Sequence, residues 1–277
     1  MKSTIILSMA RSGTTFLNTK LLGMLGFDNK IYHHFNEIAF EGFYVKHKIE
    51  YLIESPYKYD GKGLREFNPK IHFKLHDPRK YSNECYYSTN QSTLETIIEK
   101  CTLPVFNVHI FQINENYNLI KKIKSPILFL IRKNNWQRMV SQYLFNKRII
   151  PPHMQGGKGI GRRFKGKVIP KKIDIEIAKS DLDQMIIDSD YQVNLIKTFQ
   201  KELKDQKNVK FVYYEDIENK AFWTNEFINQ LEDFTPIKFT NRNYEPSFTK
   251  TRDSVNLVNR EEVMNQDLIK KYYIKEI

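Results

Sequence analysis

The stretch LSMARSGTTFL, residues 7–17, decides the fold of this chain because its character changes within a few residues. It overlaps a short apolar run, Thr4 to Ser8, and ends in a helical pattern that extends from Thr14 to Leu25. Glycine and small hydroxyl residues between a strand and a helix point several backbone N–H groups at one spot, where the helix dipole adds partial positive charge. The stretch therefore predicts an anion-binding turn between a first strand and a first helix.

The rest of the chain repeats this alternation of strands and helices. Three more segments are short, β-branched or aromatic and closed by turn residues, as buried parallel strands are: Pro104 to Phe111, Pro126 to Ile131 and Val209 to Tyr214. Helical patterns occur at Trp136 to Asn146, Asp181 to Lys204 and Phe222 to Leu231. The alternation predicts an α/β fold with three α/β/α layers around a mainly parallel sheet, in one domain over residues 1–277. Ligands of such sheets bind at the carboxyl ends of the strands.

The composition is that of a basic globular protein. The 277 residues carry a formal net charge of +12, which favours acidic partners such as phosphates, sulfated glycans or nucleic acid. Seven Lys or Arg and no acid lie in one segment, Gly156 to Lys172. Cys85 and Cys101 are too few for a disulfide framework, and no apolar run is long enough for a signal peptide or a membrane span. We therefore expect a cytoplasmic protein without a membrane span.

The turn after the first strand has the residues that an anion requires. The hydroxyls of Thr14 and Thr15 can donate hydrogen bonds to phosphate oxygens, and Arg11 supplies a permanent cation. The sequence Gly-x4-Gly-Lys-Ser/Thr of ATP and GTP loops is absent, so no Lys-Ser/Thr pair can organise a β/γ-phosphate with Mg²⁺. This absence disfavours the alternative of a small-molecule or nucleotide kinase.

With these residues the chain resembles the sulfotransferases that use 3′-phosphoadenosine 5′-phosphosulfate (PAPS) as the sulfuryl donor, specifically their bacterial branch. The 5′-phosphosulfate loop of that family is matched by RSGTTFL, residues 11–17, and the resemblance implies a sulfotransferase fold related to P-loop NTPases. By this resemblance Arg11 contacts the bridging oxygen of the donor, while Ser12, Gly13, Thr14 and Thr15 form the phosphate loop. Phe16 stands where an aromatic ring can stack on adenine.

A second stretch, ILFLIRKNNWQRMVSQY at residues 127–143, is similar to the family's 3′-phosphate motif. That motif has an arginine at the end of a central strand and a serine in the next helix, usually eight residues apart. Ser141 follows Arg132 by nine residues and Lys133 by eight. The resemblance therefore leaves open which of the two cations binds the 3′-phosphate.

Two further stretches agree with the family in chain order. The stretch KFVYYEDI, residues 210–217, is similar to a strand end whose tyrosine, here Tyr214, lies near adenine. The stretch SFTKTRDSVNLVNREEV, residues 247–263, is similar to a C-terminal segment of bacterial members. The resemblance makes Lys250, Thr251 and Arg252 candidates for a loop over the 3′-phosphate.

Sulfuryl transfer to a hydroxyl or amine also requires a base. His109 follows a predicted strand and precedes Arg132 by 23 residues, similar to the catalytic histidine of the cytosolic branch. Glu37 lies after the first helix, where other members use a glutamate, and it is the alternative. The histidine pairs at residues 33–34 and at 72 and 76 lack the pattern of a metal site, and we expect no metal.

The resemblance implies transfer of the sulfuryl group of PAPS by in-line displacement. The acceptor is not identified, although the basic segment Gly156 to Lys172 favours an anionic molecule such as a glycan. The same segment raises the alternative of a nucleic-acid-binding protein, but it has one aromatic residue, Phe164, and belongs to no recognised nucleic-acid module. We therefore expect no nucleic-acid partner, and the oligomeric state is left open.

Overall fold

The computed structural model describes residues 4–26, 105–113, 115–146, 177–246 and 265–275. The chain divides into two compact units. The first comprises Met1–Ile131 and Glu202–Glu245, and the second comprises Arg132–Lys201 and Pro246–Ile277. The expectation of one domain over residues 1–277 stays a prediction.

The described residues form four strands, seven α-helices and two short 3₁₀ turns. In chain order these are β1 (Thr4–Ser8), α1 (Thr14–Met24), β2 (Val105–His109), a turn at Ile110–Ile113, α2 (Tyr117–Lys122), β3 (Ile127–Ile131), α3 (Asn135–Asn146), α4 (Lys179–Leu203), β4 (Val209–Tyr213), α5 (Tyr214–Ile217), a turn at Lys220–Phe222, α6 (Asn225–Phe234) and α7 (Gln266–Lys271). None of these helices is long and apolar enough to cross a membrane.

The four strands form one sheet in the first unit, with the order β2-β1-β3-β4, and every neighbouring pair is parallel. The predicted α/β fold with a parallel sheet is therefore confirmed. Ser8, the last residue of β1, is in register with His109 of β2 and with Leu130 of β3. The carboxyl ends of these three strands consequently share one edge of the sheet.

The strands of the sheet differ in burial. Every residue of β1 and β3 is buried, since both strands have neighbours on two sides. In β4 only Val212 is buried, and the other side chains are partly exposed. The prediction that Val209 to Tyr214 is a buried strand is thus wrong in burial, because four of the five β4 side chains are partly exposed.

The connections define a point at which the chain changes direction across the sheet. From β1 the chain passes to β2 on one side, returns across the sheet to β3, and continues to β4 on the other side. Helices α1 and α2 lie in the connections on either side of β2 in the chain, as the predicted alternation of strands and helices requires. In open α/β sheets, ligands bind in the crevice at this switch point, outside the carboxyl ends of β1 and β3.

Helix α1, which begins beside this crevice, is fixed by a buried cation. Lys20 is 2% exposed, and its Nζ donates to the carbonyl of Tyr244 and pairs with Glu245 Oε1 at 3.0 Å. The same ammonium lies 5.1 Å from the centre of the Trp223 ring. A buried lysine requires such partners. These contacts attach the segment after α6 to α1.

Most predicted helix bounds agree with the structure within two residues, but the helix predicted over Phe222 to Leu231 begins and ends later, at Asn225 and Phe234. Thr224 is its N-cap, because the side-chain oxygen accepts a hydrogen bond from Phe227 N at 3.2 Å. Phe222 belongs to the preceding 3₁₀ turn.

Candidate functional site

The loop after β1 enters α1 through two residues in the left-handed region. Arg11 has φ +65° and Gly13 has φ +90°. Gly13 is the N-cap of α1, and it provides no side-chain capping hydrogen bond to this described helix. Because a helix leaves the N–H groups of its first turn without intrahelical acceptors, residues 14–16 present backbone donors at this point.

The side chains of this predicted phosphate loop differ in exposure. Ser12 and Thr14 are buried, whereas Arg11, Thr15 and Phe16 are partly exposed. The first turn of α1 contains no acidic residue that would oppose an anion. The loop therefore combines backbone donors, hydroxyls and one cation, which is the donor set that an anion of the phosphate type requires.

Tyr214, the tyrosine predicted near adenine, packs directly on this loop. A Cβ atom added to Gly13 would lie 2.1 Å from Tyr214 Cδ2 and 2.4 Å from Cε2, so only glycine leaves room for the ring. The tyrosine is the first residue of α5, after β4, and its hydroxyl donates to Glu218 Oε1 at 3.1 Å. The structure thus brings Gly13 and Tyr214, predicted separately from the sequence, into contact.

His109, predicted to follow a strand, is the last residue of β2 and is 3% exposed. Its Nδ1 lies 3.1 Å from Ser8 Oγ, within hydrogen-bonding distance. Its ring stacks on Phe111 with a centroid distance of 5.4 Å and an interplanar angle of 19°. The histidine therefore lies at the same edge of the sheet as Arg11, which follows Ser8 by three residues.

Three buried polar residues near the loop were not found by sequence reasoning: Ser8, Asn18 and Asn107. Asn18 Nδ2 donates to Asn107 Oδ1 at 3.0 Å, and this bond joins α1 to β2. Because side chains alternate along a strand, Asn107 lies on the same face of β2 as His109. An asparagine inside an apolar strand, two residues before a candidate histidine, was the available signal.

In the second unit, Arg132 lies along one face of α3. Its Nη2 donates to Gln137 Oε1 at 3.2 Å. Ser141 lies one turn after Gln137 on the same face of the helix, because residues four apart are neighbours. The backbone carbonyl of Lys133 accepts a hydrogen bond from Ile274 N at 2.7 Å. The side chain of Arg132 therefore extends toward the face of α3 that contains Ser141.

Arg138, in the first turn of α3, has a buried guanidinium that sequence reasoning also missed. It is 2% exposed, and its Nε donates to Asn135 Oδ1 at 2.8 Å. Asn135 in turn donates from Nδ2 to Ser189 Oγ at 2.7 Å. Burial, and to a smaller extent the charge of Arg132, lowers the pKa of Arg138 to about 9. Two guanidinium groups thus act on each other in this unit, and an anion bound beside them would relieve that repulsion.

Several predicted residues lie outside the described residues. They are the alternative base Glu37, the loop residues Lys250, Thr251 and Arg252, the histidines at 33, 34, 72 and 76, and the basic segment Gly156 to Lys172. Within the described ranges, no group of three or more His, Cys, Asp or Glu residues could bind a metal ion.

Comparison with known proteins gives one structural similarity. No protein-family model matches the sequence, and no curated protein matches it either. The chain is similar to a solved sulfotransferase domain from the curacin biosynthetic pathway, with 14% identity and a TM-score of 0.41. The alignment covers 99% of this chain and 91% of that one. The function of the chain therefore has to be argued from its own residues and their geometry.

Proposed function

We propose that this protein is a sulfotransferase that moves a sulfuryl group from PAPS to a hydroxyl or an amine of an acceptor. The main support is the loop between β1 and α1, in which Arg11 and Gly13 are left-handed and the N-cap Gly13 provides no side-chain capping hydrogen bond. A backbone of this shape directs several N–H groups at one anion. The motif on this loop is the one that resembles the 5′-phosphosulfate loop of sulfotransferases.

The 5′ end of the donor is assigned to the first unit. Backbone donors of the loop, with the hydroxyls of Ser12, Thr14 and Thr15, bind the 5′-phosphate oxygens. Phe16 and Tyr214 provide aromatic surface for adenine, and the contact of the Tyr214 ring with Gly13 supports this assignment. The partly exposed Arg11 contacts the oxygen that bridges phosphorus and sulfur.

The 3′-phosphate is assigned to Arg132 and Ser141. The hydrogen bond from Arg132 to Gln137 favours this arginine over Lys133, because it directs the guanidinium along the face of α3 that contains Ser141. Arg138 adds positive charge within the helix without reaching solvent. On the resemblance alone, Lys250, Thr251 and Arg252 complete the phosphate contacts.

The transfer itself needs little covalent help from the protein. The acceptor oxygen or nitrogen attacks sulfur, a new bond to sulfur forms, and the bond from sulfur to the bridging oxygen breaks. The proton of the acceptor passes to the base, and 3′-phosphoadenosine 5′-phosphate leaves with the negative charge. Arg11 stabilises this charge where it develops, and alignment of acceptor and leaving group supplies most of the remaining acceleration.

His109 is the proposed base, and Glu37 is the alternative. His109 lies at the carboxyl edge of the sheet, and its Nδ1 is within hydrogen-bonding distance of Ser8 Oγ. Ser8 precedes Arg11 by three residues. A neutral imidazole accepts a proton at one nitrogen while the other is held by a neighbour. This location supports His109 as a base within reach of an acceptor bound beside the loop.

The acceptor is proposed to be anionic, for instance a glycan, and to be attracted by the basic segment Gly156 to Lys172. Neutralising Arg162 and Arg163 together should raise the KM for such an acceptor at low salt and have little effect at high salt, since salt screens exposed charges. An unchanged KM at low salt would contradict this role.

Calorimetry tests the function directly. We expect 3′-phosphoadenosine 5′-phosphate to bind without Mg²⁺, and more tightly than ATP with Mg²⁺. Arg11→Ala should lower the rate of transfer by about 10²- to 10³-fold, the usual effect of removing one transition-state donor. The matched control is Arg242→Ala, since Arg242 bonds to Asn229 and Glu232 of α6 and not to the loop. A preference for ATP with Mg²⁺ would overturn the proposal in favour of a kinase.

A further inference from the structure

We infer that Ser8 is a positioning residue for His109. Its hydroxyl holds the imidazole with Nδ1 protonated, so that Nε2 is the basic nitrogen. The inference rests on the proposed function, because it matters to catalysis only if His109 is the base. The structural relation between the two side chains can nevertheless be tested without any turnover.

The pair is fixed by the backbone of the sheet. Ser8 and His109 are the last residues of two adjacent parallel strands and lie opposite each other in the register. Ser8 is fully buried and His109 is 3% exposed. Because both strands are paired along their length, the 3.1 Å between Ser8 Oγ and His109 Nδ1 is set by strand pairing and not by a flexible loop.

Two of the contacts of His109 act on the orientation of the imidazole ring. Stacking on Phe111 restricts the plane of the ring but leaves a 180° flip possible, since a flipped ring lies in the same plane. The flip would exchange Nδ1 and a carbon atom opposite Ser8 Oγ. The hydroxyl of Ser8 therefore selects one of the two flipped orientations, which stacking alone does not.

The hydroxyl also bears on the position of the proton. In neutral imidazole one nitrogen is a donor and the other an acceptor. If Nδ1–H donates to Ser8 Oγ, Nε2 is unprotonated and is the nitrogen that can accept the proton of an acceptor hydroxyl. If Ser8 donates to Nδ1, Nε2 carries the hydrogen and is not a base. Only the first arrangement is compatible with the proposed chemistry.

The Asn18–Asn107 bond keeps this pair aligned with the phosphate loop. Asn107 precedes His109 by two residues on the same face of β2, and Asn18 follows the loop by one turn of α1. Both asparagines are buried, at 2% and 0% exposure. The strand with the proposed base and the helix that binds the donor are consequently joined directly below the site.

Nitrogen-15 NMR of histidine-labelled protein tests the inference, with His109→Gln used to assign the resonance. The wild-type protein should show His109 with protonated Nδ1 and unprotonated Nε2. Ser8→Ala should shift the ring toward the other tautomer or a mixture, and Ser8→Thr, which keeps the hydroxyl on a strand-compatible side chain, should restore the first. A wild-type ring protonated at Nε2, or a spectrum unchanged in Ser8→Ala, would overturn the inference.

Thr4→Val is the matched control, because Thr4 is fully buried on the same face of β1, and its Oγ1 has no hydrogen-bond partner among the described residues. It removes a buried hydroxyl from the same strand without touching His109, and we expect the His109 tautomer to stay as in the wild type. A change of the His109 tautomer in Thr4→Val would instead show that any substitution in β1 disturbs the ring.

Kinetics then separates positioning from binding. Ser8→Ala should lower kcat by about 10- to 100-fold, part of what a positioned base contributes, with the KM for the donor changed by about twofold or less. Ser8→Thr should recover most of kcat. If the wild-type enzyme transfers no sulfuryl group, the proposed function fails, while the tautomer still decides the role of Ser8. If Ser8→Ala does not fold, the wild-type spectrum and Ser8→Thr decide it.

Discussion

The loop after β1 and the region from Arg132 to Ser141 are both proposed to bind an anion of the donor, but by different physics. The loop uses backbone N–H groups and hydroxyls, and its shape depends on two left-handed residues, Arg11 and Gly13. The second region contains two guanidinium groups, Arg132 before α3 and Arg138 in an ordinary helical backbone, where it is almost fully buried. The comparison teaches that the first region is sensitive to backbone changes, whereas the second is sensitive to the loss of charge.

The largest effect is expected for Gly13→Ala. The alanine would have to keep the positive φ of Gly13, and its Cβ would lie 2.1 Å from the Tyr214 ring. We expect a loss of about 2–4 kcal/mol of unfolding free energy, the sum of the strain of a left-handed alanine and of overpacking. Thermal and urea unfolding measure this loss, and binding of 3′-phosphoadenosine 5′-phosphate should weaken with it.

Gly26 is the matched control for this variant. It also has a positive φ, +83°, but a Cβ there would meet nothing closer than Thr240 Oγ1 at 3.2 Å. Gly26→Ala should therefore lose only the strain, about 1 kcal/mol. Equal losses in Gly13→Ala and Gly26→Ala would show that the contact with Tyr214 does not matter.

Removal of charge from the second region comes next in size. Arg132→Ala should weaken binding of 3′-phosphoadenosine 5′-phosphate by about 1.5–3 kcal/mol, because a charge-assisted hydrogen bond to phosphate is lost. Binding of adenosine 5′-phosphate, which has no 3′-phosphate, should be unchanged. Calorimetry with the two nucleotides measures the difference.

Lys133→Ala is the companion to Arg132→Ala, and it decides between the two cations that the sequence left open. We expect a smaller loss than for Arg132→Ala, since the proposal assigns the 3′-phosphate to the Arg132 guanidinium, which bonds to Gln137 on the face of α3 that contains Ser141. A larger loss for Lys133→Ala than for Arg132→Ala would assign the 3′-phosphate to the lysine and contradict the proposal.

A smaller effect is expected when the charges remain and only a hydroxyl is removed. Ser141→Ala should weaken binding of 3′-phosphoadenosine 5′-phosphate by about 0.5–1.5 kcal/mol, the usual contribution of one neutral hydrogen bond. The helix should be unaffected, since alanine is the best helix former. A loss as large as that of Arg132→Ala would mean that the hydroxyl, and not the guanidinium, dominates recognition in this region.

The fold was predictable because its determinants are local. The four apolar segments, and the glycine turn after the first of them, are visible within a few residues of sequence, and all four form parallel strands. The start of α6 was misplaced, because the cap at Thr224 is a weaker signal than the aromatic residues before it. The partial exposure of β4 depends on which elements cover the strand, and no local pattern contains that information.

The supporting residues of the site were not predictable for a related reason. Ser8 and His109 are 101 residues apart in sequence, and Asn18 and Asn107 are 89 apart, so their contacts exist only once strand pairing is known. Arg138 is buried although its neighbours in sequence include polar residues, and a charged residue in such a helix is expected at the surface. Motifs thus predict groups that would contact a ligand, but they carry no signal for the residues that pack behind those groups.

The smallest effect separates the stability of the loop from its activity. Arg11→Ala and Arg11→Gly both remove the guanidinium, so both should lose sulfuryl transfer. Because Arg11 has φ +65°, the glycine variant should be the more stable of the two by about 0.5–1 kcal/mol in urea unfolding. Glu115, with φ +57°, is the control outside the loop. The unfolding free energy of Glu115→Gly should be higher than that of Glu115→Ala by a similar amount. If the difference is found at Glu115 but not at Arg11, the left-handed turn after β1 is not required by the backbone, and the contrast between the two regions is lost.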